Sequence, residues 1–209
     1  YPGNYTELLT IDKSISLIGI GDPLIYHVEE GTTNIKITAD NVKIENITIE
    51  NKNDALNRRS YNIYLYSSEV LIQNCTLIGD NGIYCDDNNN ITIINNGFFN
   101  SAHSIRLISA ENIGIFNNSF NHVMPEMEER ISISGEELEV PSKDVIISRN
   151  IFDGFNYYLI TNGEGRANNV SILNNIVSNC YYSFNIGSAN ISNNMFYRCK
   201  EVYGGTYNN

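Results

Sequence analysis

Apolar residues in this chain come in short alternating bursts separated by polar pairs. The stretches "NVKIENITIEN" (41–51), "EVLIQNCTLIG" (69–79), "NITIINNGFFN" (90–100), "NIGIFNNSFNH" (112–122), "DVIISRNIFDG" (144–154), "NVSILNNIVSN" (169–179) and "SANISNNMFYR" (188–198) share one pattern. Each alternates apolar with any residue, breaks at a polar turn, and alternates again. A period of two is that of a strand with one buried face, so every copy predicts two short strands joined by a tight turn. A third apolar triplet accompanies each coil: "IKI" (35–37), "IYL" (63–65), "IYC" (83–85), "IRL" (105–107), "ISI" (131–133), "YLI" (158–160) and "FNI" (184–186).

The residue just before the turn falls at 46, 74, 95, 117, 149, 174 and 193, a spacing of 19 to 32 residues. Strand chemistry repeated at that interval predicts a solenoid of stacked coils, three strands to a coil, closing a triangular section around an aliphatic interior. Like strands then pair in parallel about 4.8 Å apart. The fold class expected is all-β. At the turn itself the next column reads Ile47, Cys75, Asn96, Asn118, Asn150, Asn175 and Asn194. Five stacked Asn predict an amide ladder, and the same Asn are expected to accept the left-handed backbone of a tight corner.

Composition agrees with strands and turns: 34 Asn and 31 Ile in 209 residues, both poor helix formers. The 24 acidic and 13 basic residues leave a net charge of −11, which opposes binding to nucleic acid or to an anionic membrane surface. No apolar run is long enough to cross a bilayer as a helix. The four Cys, at 75, 85, 180 and 199, match no zinc spacing and read as small core residues. Cys180 and Cys199 are one coil apart, so stacking would bring them within disulfide reach; a reduced core pair is the other reading. Seven sequons begin at Asn4, Asn46, Asn74, Asn90, Asn117, Asn169 and Asn190, with Asn46, Asn74 and Asn117 expected to be packed into the corner.

These repeats resemble those of the right-handed parallel β-helices in the pectate-lyase-like superfamily, over essentially the whole chain. The opening "YPGNYTELLTIDKSISLIGIGDPLI" is similar to the first coil of NosD-like periplasmic proteins, pectin methylesterases and archaeal surface proteins. The resemblance implies a right-handed helix, a secreted, periplasmic or cell-surface location, and polysaccharide as partner. Family members carry an N-terminal capping helix that is not found before this opening. Residues 1–209 are therefore expected to be a single domain taken from a larger protein or covered at its ends by a neighbouring domain or capping partner.

Chemistry is expected on the outward face of the third strand, where enzymes of this fold bind substrate. That column reads Lys36, Tyr64, Tyr84, Arg106, Ser132, Leu159 and Asn185. Tyr64 and Tyr84 followed by Arg106 would form an aromatic platform ending in a guanidinium, suited to sugar rings and their hydroxyl or carboxylate groups. Tyr is also common at exposed strand positions. Arg58, Arg59 and Asn185 are expected to add to substrate binding, the two arginines from an insertion at 51–60. Further insertions at 121–130 and 134–143 would flank the groove.

Asp86 and Asp87, with His103 and Arg106, are candidate catalytic groups for a polysaccharide hydrolase or lyase. No cofactor is required by that reading, although Asp86, Asp87 and Glu111 offer oxygen ligands for Ca²⁺. "DDNN" is equally ordinary turn sequence. The motif sets of polygalacturonases, pectate lyases and pectin methylesterases have no counterpart here. His122, Met124 and Met127 offer ligands of the kind Cu(I) prefers, in line with the NosD-like resemblance, although Met also fills core gaps. Three functions follow as expectations: polysaccharide binding or processing, a structural or adhesive surface module, and copper-site assembly.

Overall fold

The computed structural model describes residues 1–27, 31–51, 60–79, 81–101, 103–121, 131–134, 141–155, 159–161, 167–187 and 189–202. All secondary structure among them is β-strand, arranged in three parallel sheets of nine, eight and eight strands. Successive strands of the chain go to sheets A, B and C in turn, so each strand pairs with the one three further on. The pairings are parallel throughout. This is a β-solenoid with three strands per coil.

Register follows from side-chain parity, because slipping one residue would turn every apolar group to the outside. In sheet C, Val42, Val70, Ile91, Ile113, Val145 and Val170 stack inward, and Ile44, Ile72, Ile93, Ile115, Ile147 and Ile172 form the next inward column. Sheet A contributes an internal stack of rings. Phe98, Phe120 and Phe152 lie nearly parallel at 4.8 and 4.6 Å between centroids, each almost fully buried. That spacing equals the separation of neighbouring strands, so coil stacking itself enforces ring stacking.

The corner from sheet C to sheet A answers why polar pairs interrupt apolar strands. Its first residue is left-handed in every copy: Asn46, Asn74, Asn95, Asn117, Arg149, Asn174 and Asn193 have φ between 53 and 58°. The second residue forms the ladder. Oδ1 of Asn118 accepts the backbone N–H and the side-chain amide of Asn96, at 2.8 and 3.1 Å. The pattern repeats from Asn118 to Asn150, Asn150 to Asn175 and Asn175 to Asn194. Each Nδ2 also donates to a strand carbonyl of the preceding coil, such as Asn150 to Ile115 at 2.9 Å. The ladder expected from sequence is present, but the left-handed conformation belongs to the neighbour. An Asn bonded to two coils at once has no freedom left to serve as the kink.

A second left-handed column, Asn41, Glu69, Asn90, Asn112, Asp144 and Asn169, enters sheet C at φ between 52 and 58°. Two hinge residues per coil account for much of the asparagine content, since Asn and Asp tolerate this conformation best among residues with a Cβ. The hinge positions are solvent-facing. All seven sequon Asn are exposed, so the expected packing of Asn46, Asn74 and Asn117 is not observed: the buried corner residue is the one after them. The other two corners carry small or polar buried residues, Asn34 and Asn62 between sheets A and B, and Ser67, Asn88, Ala110 and Ser142 between B and C.

Candidate functional site

Sheet B carries the expected column in a continuous register: Thr10, Lys36, Tyr64, Tyr84, Arg106, Ser132, Thr161 and Asn185, of which Thr161 is buried. Thr161 stands where Leu159 was expected. Ile160 pairs with Ile131 and Thr161 with Ser132, so the column position falls two residues beyond Leu159, which is completely buried. Two consecutive inward apolar residues arise because Leu159 closes the corner into the core, where strand alternation does not apply.

Tyr64 and Tyr84 are ring neighbours, 4.5 Å between centroids and 35° between planes. Tyr66, half exposed just beyond the strand Ile63–Leu65 that holds Tyr64, stacks on Tyr64 at 4.2 Å and 16°. Tyr61, buried at the preceding corner, braces both: its centroid is 5.9 Å from Tyr64, edge-on, and 4.8 Å from Tyr84. Cations close the row. The Lys36 ammonium is 4.6 Å from the Tyr66 ring and the Arg106 guanidinium carbon 5.7 Å from the Tyr84 ring. Three coil steps separate Lys36 from Arg106, about 14 Å along the sheet.

Tyr61 and Tyr66 were not singled out from sequence, yet "YNIYLY" held the signal. Tyr66 lies two residues beyond Tyr64 and shares its face, whereas Tyr61 needed the corner geometry. The phenols of Tyr61, Tyr64 and Tyr84 are held neutral. Burial, then the negative charge of Asp86, pushes Tyr84 up to about 12 against the opposing pull of Arg106. Burial also raises Tyr64, with Tyr66 and neighbouring phenols adding to it, and raises Tyr61 despite the adjacent Arg106. Each keeps its O–H as a hydrogen-bond donor at neutral pH.

The four candidate catalytic residues are not drawn together. Asp86 touches the platform: it accepts a 3.4 Å hydrogen bond from the Tyr64 hydroxyl, two residues along the strand from Tyr84. Asp87 is exposed on a left-handed corner at φ 53°. His103 is paired with Asn81 and Ile108 with Asp86, so His103 begins its strand five residues before the level of Asp86. At about 3.3 Å per residue that is roughly 16 Å. Arg106 lies between them beside Tyr84. Asn185 is in the column but three coil steps beyond Arg106.

Glu111 pairs with Lys143 at 3.0 Å, and among the described residues no three His, Cys, Asp or Glu side chains converge as a metal site. Asp86, Asp87 and Glu111 therefore do not form the Ca²⁺ cluster considered above. Arg58 and Arg59, and the His122, Met124 and Met127 set, lie outside the described residues. Among the described residues no helix is long and apolar enough to cross a membrane.

Fold and platform define the class of protein, a parallel β-solenoid with an aromatic and cationic stripe on one sheet. No protein-family model, curated protein or solved structure matches the chain.

Proposed function

We propose that this chain is a secreted or cell-surface β-helix that recognises a polysaccharide on the outer face of sheet B. The reading is carried by one observation, the unbroken row of Tyr66, Tyr64 and Tyr84 between Lys36 and Arg106. Ring faces take the apolar C–H face of a pyranose, while neutral phenols, Asp86 and the two cations meet hydroxyl or acidic substituents at its edge. The likeness of the repeats to pectate-lyase-like and NosD-like helices points the same way. Recognition is favoured over turnover. Glycoside hydrolysis needs two carboxyl groups facing across one bond, and among the described residues Asp86 is the carboxylate hydrogen-bonded to the platform.

Calorimetric titration with a panel of oligosaccharides tests this. Tyr84→Ala is expected to weaken the best ligand by about tenfold, equivalent to about 1.4 kcal/mol. Phe99→Ala, on sheet A, is expected to leave it unchanged. Equal affinity in wild type and Tyr84→Ala would remove the platform from the account.

A second reading, a structural or adhesive module, is favoured by a different surface. Ile151, Ile176 and Met195 stack in register on the outside of sheet A, 47, 42 and 63 % exposed. Such a row is costly to leave in water and suits lateral contact. Light scattering separates the readings, since concentration-dependent growth abolished by Ile176→Ser is expected only of the module.

A further inference from the structure

The cysteine pair at the C-terminal end of the described coils is not part of the platform. Strands Ile176–Cys180 and Met195–Tyr197 pair in parallel, with Ile176 opposite Met195, Val177 opposite Phe196 and Ser178 opposite Tyr197. Beyond the strand the Lys200 N–H donates to the Cys180 carbonyl at 3.0 Å. The register therefore continues and sets Cys199 opposite Cys180. Neighbouring strands are about 4.8 Å apart, inside the roughly 4.4–6.8 Å Cα window of a disulfide. Both side chains turn inward. Cys180 is buried, and Cys199 packs against the core while remaining partly open to solvent.

From this placement we infer that Cys180 and Cys199 are a cross-linking site, closed to an internal disulfide by a small-molecule disulfide such as oxidised glutathione and stapling the last two coils together. The two thiols are unequal. Cys199 is reachable, its Sγ making long contacts to the Val177 and Tyr197 carbonyls at 3.5 and 3.7 Å. Cys180 is pushed up to about 12, chiefly by burial and then by the Cys199 thiol beside it, although Ser183 partly offsets this. Cys199 takes the first step: its thiolate attacks one sulfur of the oxidant, the S–S bond of the oxidant breaks, and one glutathione leaves as thiol. The Cys180 thiolate then attacks the Cys199 sulfur and expels the second glutathione. Two electrons pass to the oxidant and the two cysteine protons end on two glutathione thiols, so the exchange balances. Resolution requires the buried thiol to lose its proton, so its rate rises with pH. Cys75 and Cys85 are internal controls, buried elsewhere in the core at 2 and 0 % exposure.

The test treats the full chain with oxidised glutathione, quenches in acid, alkylates in denaturant and reads intact and peptide masses. The result expected is two alkylated thiols where the reduced protein has four, and a peptide linking 180 to 199. Cys180→Ser should keep one glutathione on Cys199, and Cys199→Ser should form neither adduct nor cross-link. Four alkylated thiols after treatment, or glutathione persisting on wild-type Cys199, would overturn the inference. If Cys180→Ser does not fold, the wild type and Cys199→Ser still decide.

Discussion

Adjacent asparagines at the sheet C to sheet A corner have opposite tasks, and substitution should separate them. Asn150→Ala removes the acceptor for both the backbone and side-chain amides of Asn118, and the donor to the Ile115 carbonyl. The Asn118 side-chain amide keeps its bond to the Ile93 carbonyl, so two stranded buried groups at about 1–3 kcal/mol each should show in urea unfolding as a loss of roughly 2–6 kcal/mol. One residue earlier, Arg149→Asn replaces a strained left-handed Arg with the residue found at the other six copies, and a gain of up to about 1 kcal/mol is expected. Similar effects from both would contradict the division. The phenols give a second prediction at this scale. Tyr84 has its pKa raised from 10 to about 12 on folding, so its stabilising contribution is complete below pH 10 and lost as pH rises from 10 through about 12. A near-UV phenolate titration of wild type against Tyr84→Phe should show one late-titrating phenol lost in the variant; a loss from the ordinary Tyr range instead would contradict the buried platform.

Strands were legible because parity and repetition reinforce one another. Seven copies of one alternation fix which residues face inward, and parallel stacking carries that register from coil to coil without further information. Corners were less so. Leu159, Tyr61 and the hinge Asn are positioned by how the backbone turns between sheets, where a period of two has no meaning. The candidate site divides along the same line: Tyr64, Tyr84 and Arg106 were readable as a column, whereas separating His103 from Asp86 required knowing that His103 begins one six-residue strand and Asp86 ends the strand paired with it. At this scale the Phe98, Phe120 and Phe152 stack is the element to test. Phe120→Ala opens a void between two rings, with an expected cost of about 3–5 kcal/mol. Phe120→Leu should cost much less, and equal costs would show that the stack does not depend on filling that layer.

Over the whole molecule, charge sets the platform apart. A chain of net charge −11 places Lys36 and Arg106 on the same face as three tyrosines, with Asp86 between them, a local cationic stripe on an acidic body. Coil stacking creates that stripe from residues up to 70 positions apart in sequence. Backbone amide NMR during titration with oligosaccharides measures this claim most directly. The account predicts shifts concentrated at Lys36, Tyr64, Tyr66, Tyr84 and Arg106, with sheets A and C unaffected. Shifts centred on another sheet, or none with any glycan, would contradict it.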